Sequence, residues 1–265
     1  MLRRAFNLVA TAIAAGVVAV SVASCAYAPS ADVRQAIAPT GTLRVGVYSG
    51  SPTSYVRSKD GREVGLALEM GRALGREMGV PVQVVEFDRI ALILAAMKKG
   101  DIDFTFTNAS EERRGDIDFT PTVVRLELGY LVPSGSKLAN ADEVDGSGTR
   151  VGVTQGSSSE HVLSQRFKNA KLVPAASLPK AAEMLRRGEI DAYATNKGIL
   201  FELADQVPGS RILPGRWGVE NLAVAYPKGR AAGAAYLAQF AEQLRASGEL
   251  KDMIARSGLR GAAND

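Results

Sequence analysis

Gly156, Ser157 and Ser158 stand between a Val-rich segment and a helical pattern that begins near Glu160. The first turn of a helix has backbone N–H groups without intrahelical partners, and Ser hydroxyls add further donors. Such a helix N-terminus is a ready site for an anion. The same pattern is typical of simple helix capping, and the two interpretations are compatible. The segment therefore predicts a capped helix that could also hold a negatively charged group.

The run Glu111-Glu112-Arg113-Arg114 is a second place where chemistry is available. A guanidinium can hold a carboxylate through two parallel hydrogen bonds, because its donors form a fixed fork. Two acids followed by two bases are also typical of a solvated charge cluster. From these residues alone, the surface interpretation is favoured over a binding site.

Signatures of catalytic and metal sites are sparse. The sequence contains no G-x-S-x-G, P-loop or H-E-x-x-H pattern. Ser177 and Lys180 match S-x-x-K, but no K-T-G follows, and Ser177 is typical of a helix cap. His161 is the only His and Cys25 the only Cys, which argues against a His/Cys zinc site. We therefore expect neither a metal nor a cofactor.

A repeat indicates how the chain positions these residues. The sequence R-V-G-V occurs at residues 44–47 and 150–153, and a basic-basic-Gly-acid-Ile-Asp turn occurs at 98–103 and 186–191. Each time a strand comes first and a helix precedes the turn, with Asp88 and Ser177 as candidate N-caps. Alternating strands and helices predict parallel sheets, and two similar halves predict two α/β lobes. Ligands of such architectures lie in a crevice between domains.

Composition limits the class of protein. The chain has 265 residues, of which 46% are hydrophobic and 23% are charged. These values are typical of a globular protein and exclude a disordered chain and a polytopic membrane protein. The formal net charge is +4, and no basic stripe with interleaved aromatics occurs, so we expect no nucleic-acid partner. We expect a monomer.

The N-terminus is typical of a secretory leader. Arg3 and Arg4 precede an uncharged segment from Leu8 to Ala23, and we assign residues 1–24 to a signal peptide. A small residue before Cys25 fits lipidation of that Cys, which would anchor the protein to a membrane. Ordinary cleavage after Ala28 and an uncleaved anchor are the alternatives. Residues 25–40 are expected to be a tether, and the protein is expected in the periplasm.

Seven short segments carry a resemblance to a known family. They are residues 43–47, 65–69, 100–103, 112–120, 151–158, 188–192 and 247–250. In this order they resemble the bacterial extracellular solute-binding proteins of family 3, the receptors of polar amino-acid ABC importers. The resemblance covers residues 42–261, which is nearly all of the chain beyond the leader.

The resemblance implies a two-lobed α/β fold of the type II periplasmic-binding-protein class. Two hinge-crossing strands are expected near residues 129–132 and 222–226. The first lobe would take residues 41–130 and 224–262, and the second residues 131–223. The implied function is capture of a small carboxylate-bearing solute, an amino acid or a related organic anion, for the permease of an ABC importer.

The resemblance also implies site residues. Arg113 aligns with the family's arginine that grips the ligand carboxylate, and Ser157 and Ser158 align with the segment through which the second lobe holds the same group. Asn108 falls where a small polar pocket residue is expected. Arg114 is expected at the surface.

This sequence departs from the family pattern at three places. Asn196 stands where an Asp usually holds the ligand ammonium, so Asn196→Asp is expected to raise the affinity for amino acids. Ser51-Pro52-Thr53-Ser54 replaces the usual Tyr-Pro-Pro-Phe, which leaves Tyr48 and Tyr55 as the best aromatic candidates for the cleft. The stretch between Asp103 and Arg113 is about two residues short. These departures point away from an ordinary α-amino acid as the ligand.

Two other classes of protein remain open. Some proteins of this fold are periplasmic dehydratases, and an enzyme of that kind is the main alternative. A binding subunit that serves a sensor or an accessory system is the other.

Overall fold

The computed structural model of the chain describes residues 29–58 and 60–263. The predicted signal peptide and Cys25 lie outside the described residues. Helices and strands alternate along most of the chain, which confirms the predicted α/β class. The elements up to the first long strand are α1 (Ala31–Ile37), β1 (Leu43–Tyr48), β2 (Val56–Arg57), β3 (Glu63–Val64), α2 (Leu66–Met78), β4 (Val82–Phe87), α3 (Ile90–Lys99), β5 (Thr105–Asn108), α4 (Glu111–Arg114), β6 (Ile117–Phe119) and β7 (Val124–Val132).

The remaining elements repeat this alternation. They are β8 (Arg150–Thr154), α5 (Ser158–Arg166), β9 (Lys171–Ala175), α6 (Leu178–Arg186), β10 (Ala192–Asn196), α7 (Lys197–Gln206), β11 (Arg211–Ile212), β12 (Gly218–Pro227), α8 (Ala231–Ala246) and α9 (Glu249–Ser257). Within the described residues, no helix has the length and apolar character needed to cross a membrane.

The long strands β7 and β12 connect two hydrophobic cores. They pair antiparallel, with Leu222 opposite Val124 and Gly218 opposite Leu128. One end of the pair contributes side chains to a core that contains Phe104 and Phe240. The other end contributes to cores around Tyr193 and Val151. The chain therefore forms two lobes joined by two crossing strands, as predicted, and we call the lobe of Phe104 the first and that of Tyr193 the second.

Each lobe contains a small parallel sheet. In the first lobe β1 pairs with β4, and the Gly46 N–H donates to the Phe104 carbonyl ahead of β5. In the second lobe β8 pairs with both β9 and β10. Parallel strands need helical crossovers, which α2, α3, α5 and α6 supply.

The sequence repeat corresponds to the same ion pair in both lobes. Arg44 donates from Nε and Nη2 to the two carboxylate oxygens of Asp103, each at 2.7 Å. Arg150 makes the matching pair with Asp191, at 3.0 and 2.7 Å. In each lobe this pair ties the start of the first strand to the turn that leads into a later strand. The two pairs differ in exposure, because Asp103 also accepts from Arg230 at 2.8 Å and is fully buried.

The glycine of each R-V-G-V segment leaves room for the isoleucine of the repeated turn. A Cβ on Gly46 would lie 3.1 Å from a methyl carbon of Ile102 and 2.7 Å from Ile93. A Cβ on Gly152 would lie 2.4 Å from Ile190. Both halves of the repeat therefore specify one packing arrangement: an Arg–Asp pair at the edge and an Ile packed over a Gly.

Two local predictions turn out differently. Ser177 caps α6, since its hydroxyl accepts from the Lys180 N–H. Asp88 does not cap α3, because the last extended residue before that helix is Arg89. The predicted tether is also wrong in part. Residues 31–37 form α1, which Ser30 caps, and Ile37 packs in the core of the first lobe.

The unequal burial of the repeated ion pairs leads to a stability prediction. Asp103→Asn removes a fully buried carboxylate that two partly buried guanidiniums, Arg44 and Arg230, share, and we expect a loss of about 3 kcal/mol of unfolding free energy. Asp191→Asn removes a pair whose side chains are 42% and 38% exposed, so we expect a loss of at most about 1 kcal/mol. Urea denaturation of both variants checks this, and equal losses would contradict it.

Candidate functional site

A cavity lies between the two lobes, beside the crossing strand β12. Its volume is about 40 Å³. Hydroxyl-bearing residues of both lobes line it: Tyr48, Thr53, Thr107, Thr154, Ser157 and Ser158. The apolar lining comes from Ile90, Ile199 and Leu222. Arg113, Asn196 and Glu220 also line the cavity, and they bring charge and amide groups to it.

Arg113 is buried at this cavity, with 7% of its surface exposed. The short helix α4 carries it, and its Nη1 donates to Thr107 Oγ1 at 3.0 Å and to the Asn108 carbonyl at 3.2 Å. Its Nε lies 3.7 Å from Glu112 Oε1. Burial lowers the pKa of Arg113, while Glu220 and Glu112 act in the opposite direction. A guanidinium stays protonated in proteins even so, which means that a fixed positive charge faces the cavity.

The neighbouring Arg114 points elsewhere. Its side chain is 44% exposed and pairs with Glu111 at 3.2 Å, while its guanidinium lies over the ring of Phe119. The charge run therefore divides into one cavity residue and one surface residue.

Glu220 is a charged residue of the cavity that the sequence analysis did not identify. It lies on β12, with 8% of its surface exposed, and its Oε2 accepts from Asn196 Nδ2 at 3.0 Å. Burial raises the pKa of Glu220, and Arg113 and the amide of Asn196 partly offset this effect. In the part of the chain that the structure describes, no ion pair joins Arg113 to Glu220. The two opposite charges thus face one cavity without touching.

Asn196 ends β10 and caps α7. Its Oδ1 accepts from the Ile199 N–H at 3.0 Å, and its Nδ2 donates to Glu220. Both ends of the amide are therefore engaged by the protein. This arrangement fixes the orientation of the Glu220 carboxylate in the cavity.

Contacts between the lobes close one side of the cavity. Asn108 Nδ2 donates to Ser158 Oγ at 3.2 Å, across from the first lobe to the N-terminus of α5. Ser157 caps that helix by accepting from the Glu160 N–H. Nearby, His161 Nε2 lies 3.4 Å from Glu112 Oε2. The structure therefore brings Asn108, Ser157 and Ser158 to the same gap as Arg113.

Only one of the two predicted aromatic residues reaches this cavity. Tyr48, at the end of β1, lines it. Tyr55 instead packs in the core of the first lobe, and its hydroxyl donates to Glu63 Oε1 at 3.2 Å. The chain folds back after β1 so that the Ser51 N–H donates to the Tyr55 carbonyl, and this turn directs Tyr55 away from the cavity. The placement of Tyr55 in the cleft is thus corrected.

No group of three or more His, Cys, Asp or Glu side chains among the described residues is placed to hold a metal ion. The cavity offers one guanidinium, one carboxylate, one amide and several hydroxyls.

Comparison with known proteins agrees with this architecture. The family model of the bacterial extracellular solute-binding proteins, family 3, matches residues 43–258. An L-arginine-binding protein of Pseudomonas aeruginosa is 26% identical over 227 residues, which cover 80% of this chain and 85% of that protein. The glutamine-binding protein of an ABC transporter of Bacillus subtilis is 25% identical over 138 residues, or 51% of this chain and 50% of that protein.

Solved structures show the same fold. A mutant of ArgBP from T. maritima superposes with a TM-score of 0.76 at 19% identity, over 86% of this chain and 99% of that one.

The burial of Glu220 predicts a pH dependence of stability. Because burial raises the pKa of Glu220, the folded protein binds this proton more tightly than the unfolded chain does. The contribution of Glu220 to stability is therefore largest at low pH and is lost as the pH rises above the ordinary glutamate pKa. Glu220→Gln removes this titration, so we expect the ligand-free variant to gain in unfolding free energy relative to the wild type as the pH rises above the ordinary glutamate pKa.

Thermal unfolding across this pH range measures the difference. Glu242→Gln, an exposed position on α8, is the matched control and should follow the wild type. Parallel curves for Glu220→Gln and the wild type would contradict the assignment of a buried titrating carboxyl.

Proposed function

Because this chain belongs to the bacterial extracellular solute-binding proteins of family 3, we propose that it captures a small carboxylate-bearing solute at Arg113 and delivers it to an ABC importer. The solute is an amino acid or a related organic anion. The protein works outside the cytoplasm, as the family does, and its partner is the permease of that importer.

The burial of Arg113 at the cavity between the lobes carries this proposal. Its short hydrogen bonds go to neutral oxygens of Thr107 and Asn108, and Glu112, 3.7 Å from its Nε, does not line the cavity, so no carboxylate of the described residues binds the guanidinium from the cavity side. Taking a charge out of water costs several kcal/mol unless an opposite charge compensates it. A ligand carboxylate supplies that compensation through two parallel hydrogen bonds.

We propose that Ser157 and Ser158 complete the carboxylate site from the second lobe and Asn108 from the first. Ser157 and Ser158 stand at the N-terminus of α5, where backbone N–H groups and the helix dipole favour an anion. The Asn108–Ser158 hydrogen bond spans the gap, so closing the lobes brings both halves of the site together. Closure around a solute is a hinge motion, and the closed form is what the permease recognises.

We further propose that the lobes divide at the predicted positions, with residues 41–130 and 224–262 in the first and 131–223 in the second. The hydrophobic cores support a crossing close to the first boundary, since Val124 and Leu126 pack in the first lobe, whereas Leu128 and Tyr130, just ahead of residue 131, already pack in the second.

We propose that the site binds without catalysis. The curated relatives are named as binding proteins, and both polar ends of Asn196 are engaged by the protein, as expected of a fixed recognition site. A dehydratase-like activity is the competing function. Turnover of aromatic precursors such as prephenate or arogenate by the purified protein would contradict our proposal.

Substitution of Arg113 tests the binding function. Arg113→Gln removes the charge and one arm of the fork, so we expect carboxylate affinity to fall by about 100-fold or more. Arg114→Gln, one residue away and exposed, is the matched control and should bind as the wild type does. Calorimetry with a panel of amino acids and organic acids measures both. Binding of uncharged sugars or polyamines alone would contradict the proposal.

We propose that the mature protein is a monomer held at the membrane by a lipid on Cys25. Two acyl chains are sufficient for stable anchoring of a soluble domain. Cys25→Ser is expected to move the protein from the membrane fraction to the soluble periplasmic fraction and to abolish labelling with a fatty-acid precursor. Equal labelling of the variant and the wild type would show that the anchor is elsewhere.

A further inference from the structure

The cavity contains a buried carboxylate, Glu220, that the sequence analysis did not identify. Asn196 cannot receive a ligand ammonium in the manner of an Asp, because it carries no charge and its oxygen already accepts from the Ile199 N–H. Its other end points at Glu220, whose carboxylate lines the cavity. The negative charge is thus supplied from β12 instead of from the end of β10.

The charges that line the cavity balance. Arg113 contributes one positive charge and Glu220 one negative charge, and the other lining residues carry hydroxyl, amide or hydrocarbon groups. Tyr48 stays neutral, since burial raises the pKa of its hydroxyl. A solute that matches both charges has one carboxylate, one cationic group and no net charge.

We propose that Glu220 receives the α-ammonium group of the ligand and that the site selects a small zwitterionic amino acid with an uncharged side chain. This inference rests on the proposed function, in which Arg113 holds the carboxylate. Asn196 acts as a positioning residue, because its amide orients the Glu220 carboxylate without contributing charge.

The small cavity, of about 40 Å³, and its lining favour a small, uncharged side chain. Ile90, Ile199 and Leu222 supply apolar contact. A guanidinium or second ammonium on the ligand would be buried here without a further carboxylate among the lining residues, which disfavours it. Cationic amino acids are therefore expected to bind more weakly than neutral ones.

An amino acid and its hydroxy acid analogue test the role of Glu220 directly. L-Alanine and L-lactate, and L-valine and L-2-hydroxyisovalerate, differ only in an ammonium against a hydroxyl. We expect the wild type to prefer each amino acid by about 10- to 150-fold, the worth of one charge-assisted hydrogen bond. Glu220→Gln should reduce this preference to a few-fold and leave hydroxy acid affinity nearly unchanged, while Glu242→Gln should keep it.

The outcomes distinguish failure of the Glu220 assignment from failure of the proposed carboxylate binding at Arg113. If hydroxy acids bind as tightly as amino acids, or if Glu220→Gln keeps the preference, the assignment of Glu220 is overturned while the carboxylate site stands. If L-arginine binds more tightly than L-alanine and L-valine, the selection of neutral side chains is overturned. If no amino acid or organic acid binds the wild type, the proposed function fails and the inference fails with it.

Asn196→Asp provides a second, independent variant. The sequence analysis expects this change to raise amino-acid affinity, but the structure places the new carboxyl about 3 Å from Glu220. Two carboxylates so close share one proton, so the net charge of the cavity stays the same. We expect affinity within about threefold of the wild type at neutral pH. A gain of about tenfold or more would show that the ammonium lies at position 196 and would overturn the assignment to Glu220.

Discussion

Two buried opposite charges that face each other without contact govern the functional part of this molecule. Arg113 and Glu220 each lose solvation at the cavity. Burial lowers the pKa of Arg113 and raises that of Glu220, so it disfavours the charged form of both groups. A direct ion pair would satisfy both and close the cavity, but the fold holds them on different elements, α4 and β12. On the proposed function, a solute of complementary charge that bridges the gap offsets the cost of desolvating them.

The repeat explains how the fold can hold such charges apart. In each lobe, two contacts hold the first strand against the turn that precedes β5 or β10. One is the Arg–Asp ion pair, and the other is the packing of an Ile over a Gly. These contacts set the edges of the small parallel sheets, and the carboxyl ends of their strands then meet at the gap. Tyr48 ends β1, Asn108 ends β5 and Asn196 ends β10, so three of the predicted cavity residues occupy equivalent positions. The site is therefore a consequence of topology as much as of local sequence.

Sequence reasoning reached the residues whose position follows from a local pattern. Ser157 and Ser158 were found as a helix start, and the resemblance supplied Arg113, Asn108 and Asn196. Glu220 was missed because its partner, Asn196, lies 24 residues away and spacing does not show which carboxylates meet in space. The available signal was the two-residue alternation of β12, which places Glu220 on the face of the buried Leu222 and Val224. Tyr55 was misplaced since the turn after β1 depends on a backbone pairing that no residue type there specifies.

The location of the carboxylate on β12 also affects the order of binding events. Leu222 of this strand pairs with Asn108, and Ala109 donates its N–H to the Asn221 carbonyl, so β12 is joined directly to the segment that leads to Arg113. Glu220 lies on the crossing strand, opposite Leu126, so both charges are connected through β12 and β5 before any contact with α5 is made. An acid at position 196 would instead lie on the second lobe and would reach the ligand only on closure. If Glu220 fills the proposed role, an open form can hold both ends of a zwitterion, and closure adds the neutral donors of Ser157 and Ser158. Selection by charge then precedes the hinge motion, and the hinge motion reports a solute that has already been selected.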